Sequence, residues 1–231
     1  MEPDLHTRLD LVVVDLRRTF GDRLVAVVAY GRPSREWSHS LALVTSLTMD
    51  DLTGLAAAAS GWHRAGAATP LVIPRDEFAR SLDAFPIEYG DIIDAHTVLL
   101  GDDPFAAVRI DRLDLRRAVE VQAASHLLHL RENYIETGGR PTAVGTLVHD
   151  SAPGFAQLLR RMAHLDDAPA DSAAALSHWA AARAGLDARI VGDVLALAGE
   201  GVPAVDAARL FPDYLFTVSA LRQFVDQWST D

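Results

Sequence analysis

Near Asp111 the apolar periodicity of this chain changes. Before it, short strand-like runs alternate with helices; after it, only helical spacing remains, and that switch limits the folds open to the chain. Leu5, Leu9, Val12, Val13, Leu16 and Phe20 recur one helical turn apart, and Gly21-Asp22 stops the pattern. Leu24 to Tyr30 and Leu41 to Val44 are short apolar, β-branched runs of the kind buried on both faces, joined by the polar stretch from Arg32 to Ser40. Thr48 and Asp51 have capping-box spacing and open an alanine-rich helix to about Arg64. Leu71 to Ile73, bracketed by Pro70 and Pro74, predicts an edge strand. A short helix is expected over Asp76 to Leu82. Phe85 to Ile93 is expected to be a fourth strand, because Ile87 and Tyr89 alternate with Glu88 and Gly90.

Beyond Asp111, Leu115, Val119, His126, Leu130 and Tyr134 mark a long helix that ends at Gly138-Gly139. Further helices are expected over roughly 142–165, 171–184, 187–199 and 203–228, with no internal repeat. The fold class read from this pattern is α+β: a small mixed α/β domain over residues 1–110, then a C-terminal helical bundle over residues 111–231.

At 231 residues and 49% hydrophobic content the chain can bury a sizeable core. It has no cysteine, and all 21 basic residues are arginine. Thiol nucleophiles, Cys-bound metal sites, Schiff-base lysines and a phosphate-loop lysine are therefore excluded. Chemistry has to come from carboxylates, histidine, hydroxyls or arginine. The net charge is −11 and both halves are acidic, which argues against duplex DNA or an anionic membrane as partner. The acidic start Met1-Glu2-Pro3-Asp4 has neither the cationic nor the apolar segment of a signal peptide, so the expected location is cytoplasmic. The surplus of Ala and Arg over Lys and Asn is typical of high-GC bacterial genomes.

A strand ending at Tyr30-Gly31, a polar loop and a second strand resemble the nucleotidyltransferase superfamily that includes the kanamycin and streptomycin adenylyltransferases. The family pattern is Gly-Ser at the loop start, a downstream Ala-Arg-Gly, Asp-x-Asp opening the second strand, and a third carboxylate on a later strand. Gly31-Arg32-Pro33-Ser34-Arg35-Glu36 lies over the first part and Ser40-Leu41-Ala42 over Asp-x-Asp. Gly31 and Arg35 match; the serine, the second glycine and both aspartates do not. Phe85 to Gly101 and the helix from Arg116 to Thr137 also resemble the later strand and first bundle helix of bacterial nucleotidyltransferase-like proteins.

Adenylyl transfer uses carboxylates that converge on Mg²⁺, which prefers hard oxygen ligands. With Ser40 and Ala42 at the motif, the resemblance implies a catalytically degenerate member that acts as a ligand-binding, regulatory or partner subunit. The alternative is an enzyme using the cleft between the two domains. It would carry residual transfer through Glu88, Asp91 and Glu120, with Mg²⁺ as cofactor only in that case, or metal-free chemistry on a small molecule. Glu120 is the general-base candidate by resemblance, although Arg116 and Arg117 are placed to pair with it. The ligand-binding candidates are Gly31, Arg32, Ser34, Arg35, Ser40, Arg131 and Tyr134. A nucleotide or small anion is the expected ligand, held by guanidinium groups, and a protein partner or a homodimer is the expected assembly. His39 beside the motif is a further base candidate. His126 and His129, one turn apart, lack a third ligand on their common face, so His126 reads as a satisfied core histidine and no metal site is expected.

Overall fold

The computed structural model describes residues 5–31, 38–198 and 207–228, with the side chains of residues 5–8 left aside. Two compact units divide the chain, Met1–Asp111 and Arg112–Asp231. In the first, helix α1 (Leu5–Phe20) leads through a 3₁₀ turn into β1 (Leu24–Tyr30) and β2 (His39–Val44). Helix α2 (Met49–Arg64), β3 (Leu71–Pro74), α3 (Arg75–Arg80), α4 (Pro86–Asp94) and β4 (His96–Leu100) follow. The sheet order is β3-β2-β1-β4, antiparallel except for the parallel pair β2 and β3. β3 takes the edge position that its flanking prolines predict.

Both faces of the sheet are covered, which is why β1 reads as a continuous apolar run. Val27, Ala29, Ala42 and Val44 pack against Leu9, Val12 and Leu16 of α1 and Leu55 and Trp62 of α2. On the other face Val28, Leu41, Leu43 and Ile73 meet Phe78, Tyr89, Ile92 and Phe105. Two buried polar contacts pin the first layer. The Trp62 indole N–H donates to Asp15 (2.9 Å). The guanidinium of Arg23 grips both oxygens of Asp51 at 2.7 Å, while Asp51 closes the capping box with Thr48. That grip holds the Asp51 carboxyl far below the usual carboxylate range.

The region from Phe85 corrects the sequence reading. Pro86 to Asp94 is a helix, and the fourth strand lies at His96–Leu100. Proline suits the first helical position, and buried Pro86, Tyr89, Gly90 and Ile92 form a stripe three to four residues apart. The alternation of Ile87 and Tyr89 was one side of that stripe seen through too short a window.

Gly101, directly after β4, has φ +79°, and a Cβ there would stand 2.4 Å from the Val25 carbonyl oxygen. Backbone sets that limit, so no side-chain rearrangement relieves it. Gly101→Ala is expected to destabilise the protein by about 2 kcal/mol or more, from left-handed strain plus the clash. Urea denaturation of the variant checks this, and wild-type stability would contradict it.

The second unit comprises α5 (Arg112–Thr137), α6 (Pro141–Leu165), α7 (Ala173–Ala184), α8 (Ala188–Leu197) and α9 (Phe211–Gln227). Helix α6 is central, packing on α5, α7 and α8. Its buried face carries Val148, Phe155, Leu159 and Met162. Ser172 and Asp187 cap α7 and α8, and Gly185 ends α7 in the left-handed conformation. No helix among the described residues is long and apolar enough to cross a membrane.

Candidate functional site

Gly31 ends β1 with φ +81° and its N–H donates to the Ala95 carbonyl (3.4 Å). Arg32, Ser34 and Arg35 lie outside the described residues. β2 resumes at His39, and its register decides which residues face which layer. Ser40 sits opposite Ala29 and Ala42 opposite Val27, on the face packed against α1 and α2. Ser40 is 1% exposed and Ala42 0%. Ser40, a ligand-binding candidate of the sequence reading, is thus placed in the packed layer. Side chains alternate faces along a strand, and Ser40 and Ala42 share the face already filled by helices. The Ser40 hydroxyl is buried without a hydrogen-bond partner among the described residues.

At this end of the sheet, on the opposite face, His39 opens β2, Tyr30 closes β1 and His96 opens β4, side by side. The rings of Tyr30 and His39 lie 5.8 Å apart. Burial raises the Tyr30 phenol above its ordinary pKa, so it is a neutral hydrogen-bonding group at physiological pH. His96 has both ring nitrogens engaged, Nδ1 with the Ile93 carbonyl (2.9 Å) and Nε2 with Asp103 (3.1 Å). Asp103 also accepts the Phe105 N–H (2.8 Å), and this bond first, then His96, lowers its pKa. Sequence reasoning missed His96 because it started the fourth strand at Phe85, where the structure starts it at His96. Proline at position 86 was the available signal.

The resemblance implies Mg²⁺ only if residual transfer survives, and the described strands offer no carboxylate to hold it. The four strands, LVAVVAY, HSLALV, LVIP and HTVLL, contain no carboxylate. Leu41, the inward neighbour of His39 on its face, is fully buried among apolar side chains. Glu88 and Asp91 are brought together one turn apart, but on α4, with Glu88 exposed and Asp91 half-buried. Among the described residues no three His, Asp or Glu side chains group so as to hold a metal ion.

In the helical unit, Glu120 accepts from Arg116 (3.1 Å), and Arg116 also donates to the Val225 and Trp228 carbonyls. Arg117 pairs with Asp114 instead. Arg131 is exposed and carries no ion pair among the described residues. Tyr134 does not pair with it: its ring stacks on Phe211 at 4.4 Å and lines a cavity of about 420 Å³ with Val144 and Arg209. His126 is half-buried in the bundle. Its Nε2 lies 2.7 Å from the Tyr214 hydroxyl. On the neighbouring helix the Ser151 hydroxyl donates to the Val148 carbonyl.

A four-stranded mixed sheet flanked by helices, followed by a helical unit, is the fold of a nucleotidyltransferase. One solved structure it resembles is spectinomycin adenyltransferase AAD(9) from Enterococcus faecialis, crystallised with ATP and spectinomycin. The match has a TM-score of 0.59 and 12% identity, and covers 95% of this chain and 98% of that one. No protein-family model and no curated protein matches the chain.

Proposed function

We propose that this protein is a catalytically degenerate nucleotidyltransferase-fold protein that works as a ligand-binding, regulatory or partner subunit without Mg²⁺-dependent nucleotidyl transfer. One observation carries the reading: none of the four strands contains an acidic residue, and the sheet faces where such residues would converge are packed with apolar side chains. Transfer of a nucleotidyl group requires the triphosphate charge to be neutralised, and strands without carboxylates give the divalent ion that does this no ligand from the sheet.

The structural counterpart was crystallised with ATP, which supports a nucleotide as ligand here. Arg32 and Arg35, beside Gly31 and Ser34 in the loop after β1, supply guanidinium groups that bind phosphate oxygens bidentately without a metal. In this reading binding is retained and turnover is lost. The one arrangement favouring residual chemistry is the pair Glu88 and Asp91 on α4. A pyrophosphate-release assay separates the two readings. With ATP, Mg²⁺ and spectinomycin as a trial acceptor, release at the rate of the enzyme-free blank is expected. Release above the blank that disappears in Glu88→Gln and Asp91→Asn would overturn the proposal.

A further inference from the structure

Helix α5 is apolar on two opposite sides. Leu115, Val119, Ala123, Leu127 and Leu130 are buried against the rest of the bundle. On the far side Leu113, Val121, Leu128 and Ile135 are 62, 70, 63 and 76% exposed. Monomeric surfaces scatter single apolar residues, but here three of these four recur every seven residues, the repeat of a coiled-coil seam. Arg117, Ala124 and Arg131 flank this row on the same side of the helix.

The charges along this side are asymmetric. Arg117 lies toward its N-terminal end and Glu132 toward its C-terminal end, and both are mostly exposed. We infer that α5 is the contact through which two copies of this chain associate, packed antiparallel about a twofold axis at Ala124 and Ser125. In that register Val121 meets the partner's Leu128, Arg117 meets the partner's Glu132, and both contacts occur twice by symmetry. Arg131, exposed and unpaired among the described residues, comes within reach of the partner's Glu120. A parallel arrangement would instead set Arg117 against the partner's Arg117. Small residues at the axis let the helix backbones approach, and a helix of 26 residues spans about 39 Å. One helix per subunit places the interface at the small end of specific contacts, so the association is micromolar and concentration-dependent.

Sedimentation equilibrium of the full chain, between about 5 and 500 µM, tests this. The weight-average mass is expected to rise from 25.0 kDa toward twice that value. Leu128→Glu changes an exposed position, keeps the circular dichroism of the wild type, and should weaken association at least about tenfold. Arg117→Glu should weaken it as well, and Arg117→Glu combined with Glu132→Arg should restore it to within about threefold of wild type, because each pair then keeps opposite signs. A mass of one chain at every concentration overturns the proposal. So does a dimer indifferent to Leu128→Glu, or a double reversal that fails to restore what the single reversal removed.

Discussion

Ala42→Asp is expected to destabilise the α/β unit by about 5 kcal/mol at neutral pH and to create no Mg²⁺ affinity. Ala42 has no exposed surface and is surrounded by Val27, Leu16, Leu55 and Trp62. A carboxyl forced into such a site stays protonated, with its pKa raised by about 4 units to about 8, so deprotonation in the unfolded chain alone costs about 4 kcal/mol at pH 7, and the added atoms in a filled core supply the rest. Among the described residues the guanidinium groups at this layer are already engaged: Arg23 holds Asp51 and Arg18 pairs with Asp15. Urea denaturation at pH 7 and at pH 5 checks the cost, which should shrink at the lower pH as protonation of the unfolded chain begins to match the buried form. A stable variant that binds Mg²⁺ would mean that this face opens to solvent and would reverse the assignment of the sheet faces.

The second large effect is a loss of stability in mild acid, centred on His126. Burial in the bundle, and secondarily the charge of His129, lowers its pKa from 6.5 to about 4. The folded state therefore keeps His126 neutral while the unfolded chain takes up a proton below pH 6.5. Across that window the unfolded state binds more protons, so stability rises with pH. Conversely, it drains away as pH falls from about 6.5 to about 4, by about 3 kcal/mol in all. His126 shares a 2.7 Å hydrogen bond with the Tyr214 hydroxyl, stacks near Phe155, and has its Nδ1 toward Gly154 in a cavity that His129, Asn133 and Asp150 also line, so a second proton is taken up in partly buried surroundings. Asp51 and Asp103, held low by their partners, contribute losses that begin only at more acidic pH. Guanidinium denaturation curves collected from pH 7.5 to 4.5 should show a slope for the wild type that is flattened in His126→Gln. An unchanged slope would contradict the account.

The helical half of the fold was readable because its signals are local. The stripe of α1, the Thr48 and Asp51 capping box, and the glycine stops after α5 and α7 each occupy a few consecutive residues. What escaped the sequence depends on pairing. The apolar spacing from Phe85 to Ile93 fits a strand and a short helix equally well; Pro86 at the first helical position and the packing of Tyr89 and Ile92 onto the sheet select the helix. Register was the other failure: a one-residue slip along β2 exchanges faces, moving attention from Ser40 and Ala42 to His39 and Leu41. His96 became visible only once β4 was placed correctly. The scarcity of acids in the strands, by contrast, is written in the sequence and holds in either register.

The central claim is that the nucleotidyltransferase fold persists here without the carboxylates that tie nucleotide to metal. Titration calorimetry of ATP into the full chain, once with Mg²⁺ and once with EDTA, addresses it directly, with Arg35→Ala as the companion variant. The account predicts an affinity that is the same in both buffers and falls on Arg35→Ala. An affinity that appears only when Mg²⁺ is present would contradict it.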